Sequence, residues 1–325
     1  MKELEQIAAR YSRFAADEAR GSSEVYETLA HAVAGSTDVL KFLATLPTAK
    51  RQPNLFFASV RQLFGVPNSE DQLIDLVRQK HEPIRALMLS RTTQTNEPAR
   101  CAVLVPLLAR LPQPLALLEV GASAGLCLLP DRYGYDYGVA RLEPPMNETC
   151  SPPVFECDVS GALPIPDTLP TVAWRAGIDL NPIDVNVSTE VAWLETLVWP
   201  GHNKRLARLR AALAVARHEP PRIVKGNLLT DLAALMAEAP DRATLVVFHT
   251  AVLAYVISKA HRKEFAETMR RSGAVWISNE VPSVFPDIAE PAPPASSRGM
   301  FLLSANGSAV AWTSPHGESI RWFGS

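Results

Sequence analysis

The stretch EVGASAG, Glu119 to Gly125, is compatible with two different chemistries. Gly121, Ser123 and Gly125 have the G-x-S-x-G spacing of a nucleophile elbow, in which Ser123 would attack a carbonyl carbon. The same small residues after an apolar run are also typical of a strand-to-helix turn at which a nucleotide approaches the backbone. The choice between the two depends on the elements that surround this stretch.

The hydrolase hypothesis requires an acid and then a histidine after Ser123 in the chain. Asp179 or Asp184 would be the acid, and His249 or His316 would be the base. However, the HGGG sequence of an oxyanion hole is absent before Ser123, and only helices are predicted ahead of the strand that carries it. The G-x-S-x-G spacing alone is a weak signal, so the hydrolase is kept as an alternative.

The nucleotide hypothesis is favoured by polar residues at the ends of five successive apolar runs. These runs are residues 115–120, 171–180, 222–227, 244–250 and 274–280. The polar residues at their ends are Glu119, Asp179, Asn227, His249, Thr250, Asn279 and Glu280. Because ligands of parallel sheets bind outside the carboxyl ends of the strands, five polar strand ends indicate a site more strongly than one motif does.

Individual strand ends predict specific contacts with a nucleotide. Asp179 lies where a carboxylate can accept both ribose hydroxyls, and the amide of Asn227 lies where it can pair with an adenine edge. The turn after the first apolar run, Gly121 to Gly125, is called the first turn. Its glycines leave room for a ligand at the backbone, and Ser123 is expected to cap the following helix. The residues predicted to bind the cofactor are Glu119, Gly121, Ala122, Ser123, Gly125, Asp179, Leu180, Asn227, Leu228 and His249.

His249 and Glu280 are the predicted catalytic residues. His249 has two interpretations, either a general base that titrates near neutral pH or a core histidine with satisfied nitrogens. Glu280 would orient a substrate amine or cap a loop. No metal site is predicted, because the four cysteines form no C-x-x-C pair and no H-x-x-x-H lies near them.

Two regions of different periodicity must position these residues. Residues 1–112 form the predicted helical N-terminal region, with helices at 24–34, 38–46, 54–65, 70–89 and 97–109. In residues 113–325, strands alternate with helices, which predicts a Rossmann-like parallel α/β sheet with right-handed crossovers.

Three segments depart from this alternation. Asn306-Gly307 lies between two strand-like runs, which predicts that the sheet ends in an antiparallel hairpin. Residues 128–170 are rich in aromatics, prolines and turns, and are predicted to be an insertion with hairpin or irregular structure. Residues 281–299 are proline-rich and are predicted to form a long loop.

Composition and charge restrict the classes of partner. The chain has 325 residues with a net charge of -2, so no basic surface for nucleic acid is expected. The run Ala102 to Ala109 is far too short to span a membrane, and the charged N-terminus is unlike a secretory signal. The expectation is a cytoplasmic protein with a small-molecule substrate, with no nucleic acid or membrane partner, and the oligomeric state stays open.

The layout of residues 113–325 resembles the class I S-adenosylmethionine-dependent methyltransferase fold. LLEVGASAG resembles the first motif of that fold, GIDLNP its ribose-binding acid, and the final hairpin its last two strands. A closer resemblance is carried by the stretches RTTQTNEPARCAVLVPLLA, EVGASAGLCLLPDRYGYDYG, WRAGIDLNPIDV, VVFHTAVLAYV and WISNEVP. Through them nearly the whole chain resembles a bacterial family known as domain of unknown function 2332. It implies a methyltransferase-like fold without an established reaction.

Two features depart from the methyltransferase pattern. The ribose acid is expected about 20 residues after the first motif. Asp179 follows Gly121 by 58 residues, whereas Glu143 follows Gly121 by 22 residues. Asp179 is preferred, because GIDL ends a clear strand. The second departure is Asn227, which stands where methyltransferases often have aspartate.

Three functions follow in order of preference. The first is an S-adenosylmethionine-dependent methyltransferase acting on a small molecule, and no Asn-Pro-Pro-aromatic motif of base-methylating enzymes is present. The second is a methyltransferase-like protein that binds the nucleotide without catalysis. The third is the hydrolase with Ser123 as its nucleophile.

Overall fold

The computed structural model describes residues 2–94, 96–144, 151–256 and 258–324. The chain divides into a helical unit, Met1–Thr95 with Ser188–Ala207, and a sheet unit, Asn96–Val187 with Arg208–Ser325. This division differs from the predicted boundary at residue 112, because residues 96–112 group with the sheet.

The described residues form helices and strands in the following order. The helices are α1 (Lys2–Phe14), α2 (Glu24–Gly35), α3 (Thr37–Ala44), α4 (Pro53–Phe64), α5 (Glu70–Ser90), α6 (Cys101–Leu108), α7 (Ser188–Leu197), α8 (Asn203–His218), α9 (Leu232–Met236), α10 (Lys259–Arg271) and α11 (Pro286–Ala289). The strands are β1 (Leu115–Val120), β2 (Gly134–Asp136), β3 (Arg141–Leu142), β4 (Val154–Glu156), β5 (Asp158–Ser160), β6 (Val172–Asp179), β7 (Arg222–Lys225), β8 (Thr244–Thr250), β9 (Val275–Glu280), β10 (Phe301–Ala305), β11 (Ser308–Thr313) and β12 (Ser319–Trp322).

The helices of the helical unit begin and end where the sequence supplies caps. The hydroxyls of Ser23, Ser36 and Ser69 accept hydrogen bonds from backbone N–H groups in the first turns of α2, α3 and α5. Pro53 opens α4, and Gly65, with a φ of +81°, ends it. The helices predicted at 24–34, 38–46, 54–65 and 70–89 are confirmed.

Helix α5 contains a kink, as its internal proline predicts. Lys80 has a φ of -129° and a ψ of 28°, which lie outside the helical region. Pro83 lies three residues later, and a proline both lacks a backbone donor and clashes with the turn before it. The kink therefore falls one turn ahead of the proline.

The sheet unit is built on a nine-stranded sheet with the order β5-β12-β11-β10-β9-β8-β1-β6-β7. Strands β7, β6, β1, β8 and β9 run parallel. Along the chain they are the third, second, first, fourth and fifth strands of the parallel set, which is the doubly wound order. The order reverses at β1, so the turn Gly121 to Gly125 lies at the switch point where ligands of such sheets bind.

Strand β1 is central, and all six of its residues are buried. Glu119 is in register with Gly177 of β6 on one side and with Phe248 of β8 on the other. Its carboxyl group is therefore held in the interior by the strand that carries it rather than by a mobile loop.

The segment after β1 differs from the predicted strand-to-helix turn. The helical elements that the structure describes between β1 and β6 are two 3-10 turns, at Leu126–Leu128 and Pro130–Arg132. No α-helix forms in the described part of this segment. Asn96 stabilises the turn instead, since its side chain donates to the carbonyl of Ala122 (2.8 Å) and accepts from the backbone N–H of Leu126 (3.2 Å).

The insertion at 128–170 forms a small sheet of its own with the order β3-β2-β4, and also contributes β5 to the edge of the main sheet. Residues 145–150, and with them Cys150, lie outside the described residues. The predicted hairpin at Asn306-Gly307 is confirmed as β10 and β11. Strands β12 and β5 extend the sheet beyond that hairpin.

Candidate site at the carboxyl ends of the parallel strands

The parallel register brings most of the predicted site residues to one edge of the sheet. Glu119, Asp179, His249, Thr250, Asn279 and Glu280 all lie at or next to the carboxyl ends of β1, β6, β8 and β9. Asn227 lies two residues beyond the end of β7. The expectation that successive strand ends converge is therefore met by the topology.

Glu119 is a buried acid with an unused oxygen. Its side chain is only 3% exposed, and Oε2 has no hydrogen-bond partner among the described residues. Burial raises the pKa of this carboxyl well above its usual range, and the nearby Cys127 adds to the rise while Arg100 partly opposes it. Burial therefore favours the protonated form of Glu119, which can donate a hydrogen bond to a ligand.

Ser123 does not cap a helix, so the predicted role as a cap is wrong. The next helical element is a 3-10 turn whose first residue receives no side-chain cap. Ser123 has a φ of +51°, its hydroxyl oxygen is buried, and Oγ has no partner in the described structure. Its backbone N–H donates to Asp179 Oδ2 (2.8 Å), which fixes the turn.

The geometry gives the hydrolase hypothesis no support. A serine nucleophile needs a histidine in hydrogen-bond contact with its hydroxyl. Ser123 Oγ forms no hydrogen bond with any described histidine. Both ring nitrogens of His249 are bonded to other groups.

Asp179 connects two turns at the ends of adjacent strands. Oδ2 accepts from the backbone N–H of Ser123, and Oδ1 accepts from the backbone N–H of Asn181 (2.7 Å). A carboxylate has about four acceptor positions, so each oxygen keeps a lone pair for a ribose hydroxyl. The half-buried position of Asp179 leaves these acceptors within reach of a ligand.

The glycines of the first turn are explained by packing within the protein. A Cβ at Gly121 would lie 2.3 Å from Cγ2 of Val252, and a Cβ at Gly125 would lie 2.7 Å from Pro221. Both glycines also have a positive φ, of 76° and 69°. They fit the turn whether or not a ligand binds, so they are not evidence for a cofactor.

His249 and Glu280 form a buried pair. His249 Nδ1 lies 2.8 Å from Glu280 Oε1, and the indole N–H of Trp276 donates to His249 Nε2 (3.0 Å). Because the indole nitrogen only donates, Nε2 must accept, and the ring proton lies on Nδ1. His249 has the geometry of a satisfied core histidine, and it presents no free nitrogen to a substrate.

Glu280 holds the loop after β8, in which Val252 packs against Gly121 of the first turn. Its Oε1 also accepts from the backbone N–H groups of Val252 (2.9 Å) and Leu253 (3.1 Å). The other oxygen, Oε2, is buried without a partner in the described part of the chain. One oxygen of Glu280 therefore stabilises the loop, and the other, Oε2, remains able to bind a ligand.

The remaining predicted residues lie nearer the surface. Asn227 Oδ1 accepts from the backbone N–H of Leu229 (2.9 Å) in a local turn. Leu180 is 63% exposed beside Asp179. Glu143 forms an ion pair with Arg141 (2.6 Å) in the small sheet, away from the carboxyl ends of β1 and β6. Asp179, unlike Glu143, therefore lies at the edge where the sequence predicts a ribose contact.

Arg100 also belongs to this edge, although the sequence did not predict it there. Its side chain is 3% exposed and donates to the carbonyl of Pro315 and to Thr250. Its only signal was its place in the polar stretch RTTQTNEPAR, which also contains Asn96. The long-range contacts that bury Arg100 have no local signature in the sequence.

Neither a metal site nor a membrane-spanning helix occurs among the described residues. No group of three or more histidine, cysteine or acidic side chains is placed to hold a metal ion. No described helix combines the length and apolarity needed to cross a membrane. Cys101, Cys127 and Cys157 are buried free thiols.

The sheet unit defines a mixed α/β protein with a mostly parallel sheet and polar residues at its carboxyl edge. A family model described as "Uncharacterized protein conserved in bacteria (DUF2332)" matches residues 8–322. The chain therefore belongs to this family. No curated protein and no solved structure matches it.

Proposed function

We propose that this protein binds S-adenosylmethionine at the carboxyl edge of its parallel sheet and transfers the methyl group to a small molecule. The observation that carries the proposal is the pair of unpartnered buried atoms at the switch point, Glu119 Oε2 and Ser123 Oγ, next to the carboxylate of Asp179. Buried polar atoms are normally bonded, so unpaired ones at a ligand edge indicate a missing partner.

The donor and acceptor set suits an adenosyl ligand. Asp179 would accept from the ribose hydroxyls, and the exposed side chain of Leu180 would cover an apolar face of the base. Glu119 and Ser123 would bind polar atoms of the ligand, the former as a donor. The order of the parallel strands and the closing antiparallel hairpin support the resemblance to the class I methyltransferase fold.

The bound cofactor supplies a methyl group already activated by a sulfonium. The protein then has to align the acceptor with that group and exclude water, which requires little covalent help. The turn held by Asp179 and Asn96, and the loop held by Glu280, are rigid supports for such alignment. His249 is not assigned as a base in this proposal, because both of its nitrogens are bonded.

A second candidate function is nucleotide binding without methyl transfer. The observation that favours it is the same engagement of His249, which leaves the predicted general base without a free nitrogen. An acceptor that reacts without losing a proton needs no base, so the methyltransferase remains first.

Calorimetry with S-adenosylmethionine and with S-adenosylhomocysteine tests the proposal. The wild-type protein is expected to bind both ligands, and Asp179→Ala to bind each at least about tenfold more weakly, the scale of one charge-assisted hydrogen bond. Glu143→Ala removes an acid of the small sheet and is the matched control, expected to bind like the wild type.

Three results would contradict the proposal or part of it. No heat and no shift in unfolding temperature with either ligand at millimolar concentration would exclude the cofactor. Weaker binding by Glu143→Ala, with Asp179→Ala unaffected, would move the ribose site to the insertion. Labelling of Ser123 by a fluorophosphonate probe would restore the hydrolase.

A further inference from the structure

Arg100 is a buried cation whose hydrogen-bond partners among the described residues are all neutral groups. Its Nε donates to the carbonyl of Pro315 (2.8 Å), and its Nη1 donates to the carbonyl of Thr250 (3.2 Å) and faces the Thr250 hydroxyl (3.4 Å). The guanidinium also lies over the ring of Phe301, 5.8 Å from its centroid. These contacts fix the orientation of the guanidinium at the end of β8.

No carboxylate of the described residues lies within ion-pair distance of Arg100. Glu97, three residues earlier, is directed elsewhere: Oε1 accepts from the backbone N–H of Ala99 (3.4 Å), and Oε2 lies 4.0 Å from His316. A buried charge without a counter-charge costs several kcal/mol, and a guanidinium does not lose its proton to escape that cost. The site therefore lacks a negative group.

Glu119 is the acid at this edge whose pKa Arg100 influences, but no ion pair joins the two side chains. Arg100 lowers the pKa of Glu119, yet burial outweighs that effect and the pKa remains well above its usual range. Burial thus favours the neutral form of Glu119 beside the Arg100 cation. Both are donors, and both suit an acceptor with a negative charge.

One nitrogen of Arg100 is left for such an acceptor. Nη2 makes no hydrogen bond with any residue in the described ranges, whereas Nε and Nη1 are both engaged. Since the planar guanidinium presents its donors in a fixed fork, anchoring two nitrogens also aims the third. Arg100, bonded to Thr250 at the end of β8, and Glu119, with its unpartnered Oε2 on the neighbouring β1, lie at the same edge of the sheet.

We propose that Arg100 is the receptor for a carboxylate of the bound ligand, with Glu119 as a second donor to the same anion. The inference rests on the proposed function for the position of the ligand and extends it by giving the ligand an anionic group. That carboxylate belongs either to the amino-acid part of the cofactor or to the acceptor.

Nucleosides with and without the carboxylate distinguish these two sources. S-adenosylhomocysteine carries the amino-acid group, and 5'-methylthioadenosine lacks it. If Arg100 holds the cofactor, the wild type binds the former at least about tenfold more tightly, the scale of a charge-assisted pair. Arg100→Gln then loses that preference, and Arg100→Lys, which keeps the charge without the fork, retains part of it.

If the acceptor carries the carboxylate, the two nucleosides bind the wild type equally. Acetate or succinate then raises the unfolding temperature of the wild-type protein more than chloride does at equal ionic strength, and this difference disappears in Arg100→Gln. Arg110→Gln, a change at an exposed arginine, is the matched control and should behave like the wild type in both arms.

The proposal fails if neither the nucleoside preference nor the carboxylate effect changes between the wild type and Arg100→Gln. Circular dichroism confirms that the variant is folded, and Arg100→Lys provides a second comparison if it is not. The comparison of acetate or succinate with chloride does not require a nucleoside to bind. Absence of nucleoside binding would refute the proposed function, while loss of the carboxylate effect in Arg100→Gln would still support the anion site.

Discussion

Two clusters of polar and charged side chains in the sheet unit differ in how completely they are paired. In the first, which we call the paired cluster (Asp131, Arg132, Arg175 and Glu219), Arg175 binds Asp131 through two hydrogen bonds of 2.9 and 3.0 Å. Arg132 binds Glu219 in the same two-pronged way at 2.6 and 3.0 Å. Every charge of this cluster has a partner within the protein.

The second is the open cluster, consisting of Arg100, Glu119 and Ser123. Its three side chains are 3–4% exposed, and are thus at least as buried as Asp131 at 5%. However, Glu119 Oε2 and Ser123 Oγ have no partner in the described structure, and Arg100 has only neutral ones. Burial does not separate these three side chains from Asp131, whereas pairing does.

The comparison indicates that the two clusters have different roles. A fully paired buried network is expensive to disturb, because removing one partner leaves a buried charge uncompensated. Unpaired polar groups destabilise the protein until something binds them. We therefore infer a structural role for the paired cluster, which contains no predicted cofactor-binding or catalytic residue, and a ligand-binding role for the open one.

The largest effect is expected in the paired cluster. Asp131→Asn leaves Arg175, whose side chain is 11% exposed, without its two-pronged partner. The free energy of unfolding in urea should fall by about 3–5 kcal/mol. A fall below 1 kcal/mol would mean that the pairing contributes little and that the contrast between the clusters is mistaken.

The next largest effect on stability is expected at the first turn, which contains Ser123 of the open cluster and directly follows β1. Gly121→Ala places a methyl group 2.3 Å from Val252 Cγ2, at a residue whose φ is +76°. Overpacking of this kind should cost about 1–3 kcal/mol in urea unfolding. The double variant with Val252→Ala should recover part of the loss, and no recovery would show that the glycine is not required by packing.

A smaller effect of opposite sign is expected at Glu119. Since burial raises its pKa in the folded state, the folded protein holds the proton more tightly, and stability declines as pH rises above the ordinary glutamate value. Glu119→Gln removes this decline. At pH 8 its free energy of unfolding should exceed that of the wild type by on the order of 1 kcal/mol.

The pH profile gives the control for this change. The difference between Glu119→Gln and the wild type should shrink as the pH falls toward the unperturbed glutamate value. A difference that grows on acidification would mean that Glu119 is charged and stabilising in the folded protein, and would remove it from the open cluster as a neutral donor.

The smallest effect is expected at the rim of the paired cluster. The hydrogen bonds from Arg132 lower the pKa of Glu219, so its contribution is present at neutral pH and lost as the pH falls through the lowered value. The side chain of Glu219 is 43% exposed, so solvent screens the pair. Glu219→Gln should lose no more than about 1 kcal/mol at pH 7 in urea unfolding, and a loss comparable to that of Asp131→Asn would contradict this ranking.

The sequence was sufficient where local chemistry decides the structure. The run Leu115 to Val120 lies between a proline and a glycine, and the strand has those same bounds. The Asn306-Gly307 dipeptide likewise produced a hairpin, because both residues adopt the positive φ values of 50° and 80° that such turns need. Short strands such as β12 have too few residues to show a pattern.

The sequence was insufficient where distant contacts decide. The helix expected after Gly125 does not form in residues 126–144, and Asn96, 26 residues before Ala122, bonds the turn in its place. Arg100 joins the site through Thr250 and Pro315, which are 150 and 215 residues away. The strand ends could be placed from periodicity, but which of their polar atoms stay unpaired depends on side-chain packing across the whole unit.

The most direct measurement is a crystal structure of the protein with saturating S-adenosylhomocysteine. We predict electron density for the nucleoside above the turn Gly121 to Gly125, with its ribose on Asp179 and polar atoms in hydrogen-bond contact with Glu119 Oε2 and Ser123 Oγ. A fully occupied ligand elsewhere, or an edge that stays empty at millimolar ligand with Glu119 and Ser123 still unpartnered, would contradict the assignment of this edge as the binding site.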